Sequence, residues 1–275
     1  MKITLITPSY NVEETIEKTI LSILRQKDND VQYIIVDGGS TDKTLEIILK
    51  YQNNIDIIIS EKDKGIADAY NKGIALATGD LIGIIAANDQ LINKALDKIK
   101  KEYDGFSDIV SGNIIDFNGT RYLRRVSNSN LKNLSFQTSL MHPATFIKKD
   151  AYLKYGKYSL EYKCAIDREL FLRFYTQGAT FQIIDADITF FVQGGISTQD
   201  PCKYAYPEDA KISIKYGTSI LEAKMHLYKA VLQYHISQII KKVLKKLQLI
   251  NFLNNRMATK AYYVSKDQIE KLDLL

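Results

Sequence analysis

The first ninety residues alternate between short apolar runs and amphipathic segments, and this alternation limits the folds open to the chain. The apolar, β-branched runs cover residues 2–7, 31–36, 55–59 and 81–87. Between the runs, apolar residues recur at helical spacing, as at Ile16, Ile20 and Ile23. Strands that are apolar throughout are typical of a parallel sheet covered by helices on both faces. We therefore predict a doubly wound α/β fold with a mostly parallel sheet.

A polar segment follows each of the four predicted strands, at residues 8–11, 37–38, 61–64 and 88–89. Ligands of doubly wound sheets bind beyond the carboxyl ends of the strands, so we expect these segments to converge on one crevice. Asp37 can accept a hydrogen bond from a base or a ribose, and the turn at Gly38 lets the backbone approach a ligand. The side-chain oxygens of Asn88 and Asp89 suit a hard cation.

The alternation loosens after residue 100. The sequence there predicts strands at 108–116, 144–147 and 180–192 and a helix at 166–175. From residue 220 to residue 250, apolar residues recur at helical spacing with lysines beside them. This pattern predicts one long amphipathic helix or two shorter ones.

The net charge of +5 is unevenly distributed. Residues 211–260 contain ten basic residues and one acidic residue, and the rest of the chain has 27 basic and 31 acidic residues. A mildly acidic body is not expected to bind nucleic acid.

Cys164 and Cys202 form no C-x-x-C pair, which fits a reducing compartment. The N-terminus does not resemble a signal peptide, and no apolar stretch could span a bilayer, so we expect a cytoplasmic location.

Several common site motifs are absent from the sequence. It contains no G-x-G-x-x-G, no P-loop and no G-x-S-x-G elbow. Asp167, at the start of a predicted helix, could serve as a general base. Taken singly, each polar segment also has a structural interpretation: residues 37–42 as a turn with a helix cap, Asn88 and Asp89 as an Asx turn, and Asp167 as an acid favoured by the helix dipole.

Six motifs together resemble the family 2 glycosyltransferases, in the bacterial branch that builds capsules, O-antigens and exopolysaccharides. In chain order they are ITPSYN (6–11), VDGGSTDKT (36–44), SEKDKGIADAYNKGIALATGDLIGII (60–85), HPATFIKK (142–149), AIDRELFLR (165–173) and QGGIST (193–198). The resemblance implies a GT-A-type fold with a catalytic domain over residues 1–205. Its nucleotide-binding half would cover residues 1–100 and its acceptor half residues 101–205, followed by a helical, basic amphipathic tail over residues 206–275.

The resemblance also implies roles for individual residues. Asp167 would be the base that deprotonates an acceptor hydroxyl, so that transfer inverts the anomeric configuration. The nucleotide would be bound by Pro8, Tyr10, Asn11, Asp37, Gly38, Lys64, Gly65, Asp68 and Asn71. The cleft for donor and acceptor would contain His142, Arg168, Glu169, Gly194, Gly195 and Ser197.

The sequence departs from the family at the tip after the fourth strand. The family has a D-x-D-type tip there, whereas residues 86–89 read Ala-Ala-Asn-Asp. The resemblance implies a divalent cation, Mn²⁺ or Mg²⁺, held by Asn88 and Asp89. Because an amide brings no negative charge, we expect weaker cation affinity than in the family. A second departure is Arg168 between the two acids, and we hypothesise that it pairs with an anionic acceptor.

The sequence thus predicts an inverting transferase that moves a sugar from a nucleotide-sugar donor, a UDP-sugar, to a saccharide or lipid-linked saccharide acceptor. The acceptor would be a surface-polysaccharide precursor. The helix at 220–250 would lie on an anionic membrane leaflet, or pack on the catalytic body or on a second copy of the chain. The alternative function is a catalytically impaired nucleotide-sugar-binding or scaffold subunit, because the D-x-D tip is degraded.

Overall fold

The computed structural model describes residues 1–117, 122–192, 201–246 and 262–263. The described residues form one ten-stranded sheet with helices packed on it. The strands are β1 Ile3–Ser9, β2 Val31–Asp37, β3 Ile57–Ser60, β4 Leu81–Ile84, β5 Gln90–Leu91, β6 Ile109–Phe117, β7 Tyr122–Arg125, β8 Thr145–Lys148, β9 Phe181–Val192 and β10 Tyr262–Tyr263. The helices are α1 Ile16–Leu24, α2 Thr44–Lys50, α3 Ile66–Leu76, α4 Ala95–Glu102, α5 Lys149–Tyr155, α6 Ile166–Thr176, α7 Ala205–Lys215 and α8 Ile220–Lys246. Short 3₁₀ helices cover Gln52–Asn54, Leu131–Ser135 and His142–Ala144.

The first half of the chain forms a parallel sheet in the order β4-β1-β2-β3. Every residue of β1 and β2 is buried. Alternate residues of β1 belong to two different core clusters: Ile6 packs with α3, and Leu5 packs with α1. Both faces of these strands are therefore covered, which explains why their sequences are apolar throughout.

The second half of the chain continues the same sheet with mostly antiparallel pairings. β8 pairs antiparallel with both β4 and β6, and β7 pairs antiparallel with β6. The long β9 runs parallel to β6 and antiparallel to β5. The strands predicted at 108–116, 144–147 and 180–192 correspond to β6, β8 and β9. The sequence did not indicate α4, α5 or the short strands β5, β7 and β10, and it indicated α7 only as part of a helical tail.

The fourth strand is shorter than the apolar run that predicted it. β4 ends at Ile84, although the Ile85 N–H still donates to the Ile6 carbonyl at 3.0 Å. The chain then turns, because the Asp89 N–H bonds back to the Ala86 carbonyl at 2.8 Å. Residues 86–89 thus form a turn rather than the end of a strand.

Two helices, α7 and α8, follow the long strand β9. Ile212 of α7 is fully buried in the core cluster that contains Leu170 of α6. The predicted amphipathic helix is one continuous element, α8, through Lys246, and residues 247–250 of that prediction lie outside the described part. Among the described residues, no helix has the length and apolar character needed to cross a bilayer.

Candidate active site

The loops that follow β1 and β2 are joined by hydrogen bonds. Pro8 and Ser9 lie opposite Val36 and Asp37 in the sheet. Beyond them, the Asn11 side-chain oxygen accepts the Thr41 N–H at 2.9 Å, and the Asn11 N–H donates to Ser40 Oγ at 2.9 Å. Tyr10, between these contacts and the strand, is 59% exposed. The polar segments that follow β1 and β2, here called the first and second polar tips, therefore lie side by side at the carboxyl edge of the sheet.

Asp37 is fully buried and connects several loops. Its carboxylate accepts hydrogen bonds from Ser40 Oγ at 2.5 Å and from Ser60 Oγ, at the end of β3, at 2.7 Å. It also accepts the N–H groups of Gly39 at 3.2 Å and Ser40 at 3.0 Å. The described contacts of Asp37 hold the turn together, and its predicted contact with a nucleoside stays a prediction.

The third tip, after β3, folds onto the second. The Gly65 N–H donates to Asp63 Oδ1 at 2.9 Å, and the Lys64 N–H donates to Asp68 Oδ2 at 3.0 Å. A Cβ atom at Gly38 would lie only 2.4 Å from Asp63 Oδ2. Glycine at position 38 therefore lets this loop pack against the second tip.

The fourth tip is held by the segment that follows β1. Thr15 Oγ1 donates to the Asn88 side-chain oxygen at 2.6 Å, and Thr19 Oγ1 donates to the Asp89 carbonyl at 2.7 Å. The first and fourth tips are thus neighbours. All four polar tips lie along one edge of the sheet, as the strand pattern predicted.

The oxygens at the fourth tip do not fit a divalent cation. Asp89 is 2% exposed, and burial raises the pKa of its carboxyl to about 8. One Asp89 oxygen already accepts the Val192 N–H at 3.3 Å, and the Asn88 oxygen accepts from Thr15. Mn²⁺ and Mg²⁺ prefer ionised oxygen ligands. Within the described ranges, no group of three or more His, Cys, Asp or Glu side chains lies together.

Asp167 comes from the second half of the chain, but its neighbour Ile166 packs in the same core cluster as Tyr70 of α3. Asp167 is the second residue of α6, is half-buried, and accepts the Arg168 N–H at 2.8 Å. Burial raises the pKa of Tyr70, and the negative charges of Asp167 and Asp89 raise it further. Both carboxyl groups therefore lie within electrostatic reach of one ring on α3.

His142 contacts Tyr70 and a second tyrosine, Tyr158. Its Nε2 bonds with the Tyr158 hydroxyl at 2.8 Å, and its ring stacks on Tyr70 with 5.7 Å between the ring centroids. Burial lowers the pKa of His142, although the negative charge of Asp167 acts in the opposite direction. The lowered pKa favours the neutral imidazole. The sequence analysis did not single out Tyr70 or Tyr158, although Tyr70 stands inside one of the motifs.

Asn71 has a structural contact that the resemblance did not indicate. Its side-chain NH₂ donates to the Tyr158 carbonyl at 2.9 Å, and its oxygen accepts the Tyr158 N–H at 3.0 Å. The amide is thus committed to the backbone of residue 158. Its predicted contact with the nucleoside stays a prediction.

Arg168 lies inside the protein with 1% of its surface exposed. Its guanidinium donates to the carbonyls of Leu134 at 3.1 Å and Ser135 at 2.6 Å, to Ser213 Oγ at 2.8 Å and to Asp209 Oδ1 at 3.2 Å. All three guanidinium nitrogens are engaged within the protein. Its pairing with an anionic acceptor stays a hypothesis.

Glu169 is likewise buried, with 1% exposed. It accepts hydrogen bonds from Arg173 Nε at 3.0 Å and from the Tyr216 hydroxyl at 2.5 Å. The described contacts of Glu169 are thus inside the protein, and its predicted place beside the acceptor stays a prediction. Gly194, Gly195 and Ser197 lie outside the described residues.

Comparisons with known proteins give one consistent family. The sequence profile described as Glycosyl transferase family 2 matches residues 4–166. A PGL/p-HBAD biosynthesis glycosyltransferase of Mycobacterium tuberculosis is 31% identical over 182 residues, which cover 64% of this chain and 70% of that protein.

Solved structures share the fold at low sequence identity. S. aureus TarS 1–349, in complex with UDP, has a TM-score of 0.63 and 19% identity, covering 82% of this chain and 70% of that chain. The mannosyltransferase PcManGT from Pyrobaculum calidifontis, in complex with GDP-Man and Mn²⁺, has a TM-score of 0.61 and 17% identity, covering 99% and 83%. The predicted GT-A-type α/β fold is therefore confirmed. Because the family profile spans more than half of the chain, this protein belongs to glycosyl transferase family 2.

Proposed function

We propose that this protein is an inverting glycosyltransferase that moves a sugar from a UDP-sugar to the precursor of a surface polysaccharide. One observation carries the proposal beyond the family match. Ile84, at the end of β4, and Ile166, next to Asp167, come from opposite halves of the chain and belong to the same core cluster as Tyr70. A base and a nucleotide crevice must be adjacent for direct transfer between two substrates.

In this proposal the nucleoside lies against the loops after β1, β2 and β3, near Tyr10, Asp37 and Lys64. The Asp167 carboxylate accepts the proton of an acceptor hydroxyl, and that oxygen attacks the anomeric carbon. The bond from the anomeric carbon to the diphosphate oxygen breaks, and the nucleoside diphosphate leaves with the bonding electrons. Because attack comes from the face opposite the leaving group, the configuration inverts.

The proposed substrates rest on similar proteins. TarS binds UDP in its structure, which supports a UDP-sugar, and PcManGT binds GDP-Man, which makes a GDP-sugar the rival donor. The mycobacterial relative is described as a glycosyltransferase of PGL/p-HBAD biosynthesis, which supports a glycoconjugate acceptor. Since the tip oxygens do not fit a divalent cation, we assign neutralisation of the diphosphate to exposed lysines at the same edge, Lys62 and Lys64.

We further propose that α8 attaches the protein peripherally to an anionic membrane. Seven apolar residues recur on its solvent side, each between 46% and 71% exposed: Leu221, Met225, Tyr228, Leu232, Ile236, Ile239 and Val243. Residues 211–260, which include α8, carry ten basic residues and one acidic residue. A second copy of the same helix would bring like charges together, whereas an anionic leaflet complements them.

The test is release of nucleoside diphosphate from UDP-, GDP- and dTDP-sugars, with a membrane extract as the acceptor source. We expect Asp167→Asn to lower kcat by about 10²–10⁴-fold, the usual contribution of a general base. Asp150→Asn is the matched control, because Asp150 also lies in the first turn of a helix, α5. Donor binding by calorimetry with no turnover for any donor would instead support the impaired-subunit alternative.

A further inference from the structure

Helix α7 touches α6 on both sides of Asp167. We infer that α7 positions the catalytic base, and that Glu208 is the principal positioning residue. The inference rests on the proposed role of Asp167 as the base. It concerns residues 206–216, which the sequence assigned to the helical tail rather than to the catalytic domain.

The first contact lies just before α6 begins. Glu208 Oε1 accepts the Lys163 N–H at 2.9 Å, and Oε2 accepts the N–H groups of Cys164 at 2.8 Å and Ala165 at 2.9 Å. Three successive backbone N–H groups thus converge on one carboxylate, a geometry that binds anions well. The residue that precedes α6, Ala165, has no side-chain cap of its own. The direction in which the chain enters α6 is therefore set by a residue from α7.

The second contact follows Asp167 directly. The buried guanidinium of Arg168 donates to Asp209 Oδ1 at 3.2 Å and to Ser213 Oγ at 2.8 Å, both on α7. Ser213 Oγ in turn donates to the Ser135 carbonyl at 2.6 Å. The first turn of α6 is thereby fixed to α7 and to the 3₁₀ helix Leu131–Ser135.

The third contact lies one residue further along α6. The Tyr216 hydroxyl donates to Glu169 Oε1 at 2.5 Å, and Arg173 holds the same oxygen from within α6. Asp167 is therefore flanked by backbone and side chains that all bond to residues 208–216. Asp167 itself remains half-buried, and its only side-chain hydrogen bond described is to the neighbouring Arg168 N–H.

This arrangement makes the rate of transfer depend on α7 in a specific way. If the segment at 163–165 loses its carboxylate, the Asp167 oxygens move relative to the crevice, while the loops after β1, β2 and β3 keep their own hydrogen bonds. A displacement of about 1 Å in a reacting group can cost about 10²-fold in rate. The donor site should be affected little, because none of its described contacts involves α7.

The experiment measures kcat and the donor KM in the full-length chain for Glu208→Ala, Glu208→Gln and Lys211→Ala. We expect Glu208→Ala to lower kcat by about 10- to 100-fold with the donor KM changed by less than about twofold, a loss confined to the chemical step. Glu208→Gln keeps one acceptor oxygen and should recover part of kcat. Lys211→Ala, an exposed residue of the same helix, is the matched control and should behave as wild type.

Tyr216→Phe gives a second route if Glu208→Ala does not fold, because it removes a single hydroxyl. It should lower kcat in the same direction with the donor KM retained. A wild-type kcat in folded Glu208→Ala, or parallel changes of kcat and donor KM in both variants, would overturn the inference. Absence of turnover in the wild-type protein would count against the proposed function instead, so the two failures are distinguishable.

Discussion

Arg168 shows how much one side chain can contribute inside this protein. Its guanidinium links α6, α7 and the 3₁₀ helix Leu131–Ser135 in a buried network. Arg168→Ala would remove the guanidinium donor from Asp209 Oδ1 and from the carbonyl oxygens of Leu134, Ser135 and Asp209. We expect it to lower the free energy of unfolding by about 3–5 kcal/mol, the usual cost of breaking a buried ion pair on one side. Urea denaturation measures this change, and a loss below about 1 kcal/mol, typical of exposed ion pairs, would contradict the buried network.

Asn88 is the residue at which cation binding could be restored. Thr15 donates to its oxygen, and a carboxylate would accept the same hydrogen bond, so Asn88→Asp should fold normally. We expect the variant to bind Mn²⁺ at least about tenfold more tightly than the wild type, since it supplies an ionised oxygen ligand. Calorimetric titration with Mn²⁺ checks this, with Asn54→Asp as an exposed control. Equal affinities in wild type and Asn88→Asp would show that position 88 is not a ligand position.

The sequence could single out the motif at 167–169 but could not say which of its residues turn into the protein. Successive residues of a helix point about 100° apart. Asp167 therefore stays half-exposed while Arg168 and Glu169 turn into the protein. Their partners, Asp209 and Tyr216, lie about forty residues further along the chain. No local pattern indicates these contacts.

At the scale of elements, Gly79 lets the segment before β4 lie close to the backbone of β1. It lies between α3 and β4, and a Cβ atom there would be 2.5 Å from the backbone nitrogen of Thr4. Backbone cannot move aside as a flexible side chain can, so Gly79→Ala should cost about 1–3 kcal/mol of stability, as overpacking does. Thermal unfolding measures the loss, and an unchanged melting temperature would mean that β1 and β4 can separate without penalty.

The two halves of the sheet were not equally predictable. β1, β2 and β4 are buried on both faces, so each of them is recognisable in the sequence as an apolar run. In the second half, β5 and β7 contain two and four residues, too few to show a period. The pairing of β6 with β9 joins segments about seventy residues apart. Such pairing depends on the packed whole rather than on the local sequence.

At the scale of the whole molecule, the charge asymmetry and the exposed face of α8 predict salt-sensitive membrane binding. The protein should sediment with vesicles of anionic phospholipid, and less so with neutral ones or at high salt, because each basic residue contributes about 1 kcal/mol near an anionic surface. The double variant Leu232→Glu and Ile236→Glu should abolish sedimentation. Leu153→Glu with Leu160→Glu is the matched control, since both leucines are exposed outside α8.

Two results would contradict membrane attachment. One is equal sedimentation of the wild type and the α8 double variant. The other is a dimer, detected by light scattering, that dissociates in the double variant and does not sediment with vesicles. The second result would assign the exposed face of α8 to a second copy of the chain.

The hydrogen bonds of Asp37 also bear on how this protein can diversify. The Asp37 carboxylate accepts hydrogen bonds from Ser9, Ser40 and Ser60, which lie at or just beyond the ends of β1, β2 and β3. A substitution at position 37 would disturb three loops together and is expected to be lost under selection. Tyr10 stands on the rim of the same edge and is exposed, so its side chain can change without disturbing a buried contact. Descendants of this sequence could thus acquire new donor preferences by exchanging rim side chains while inheriting the frame intact.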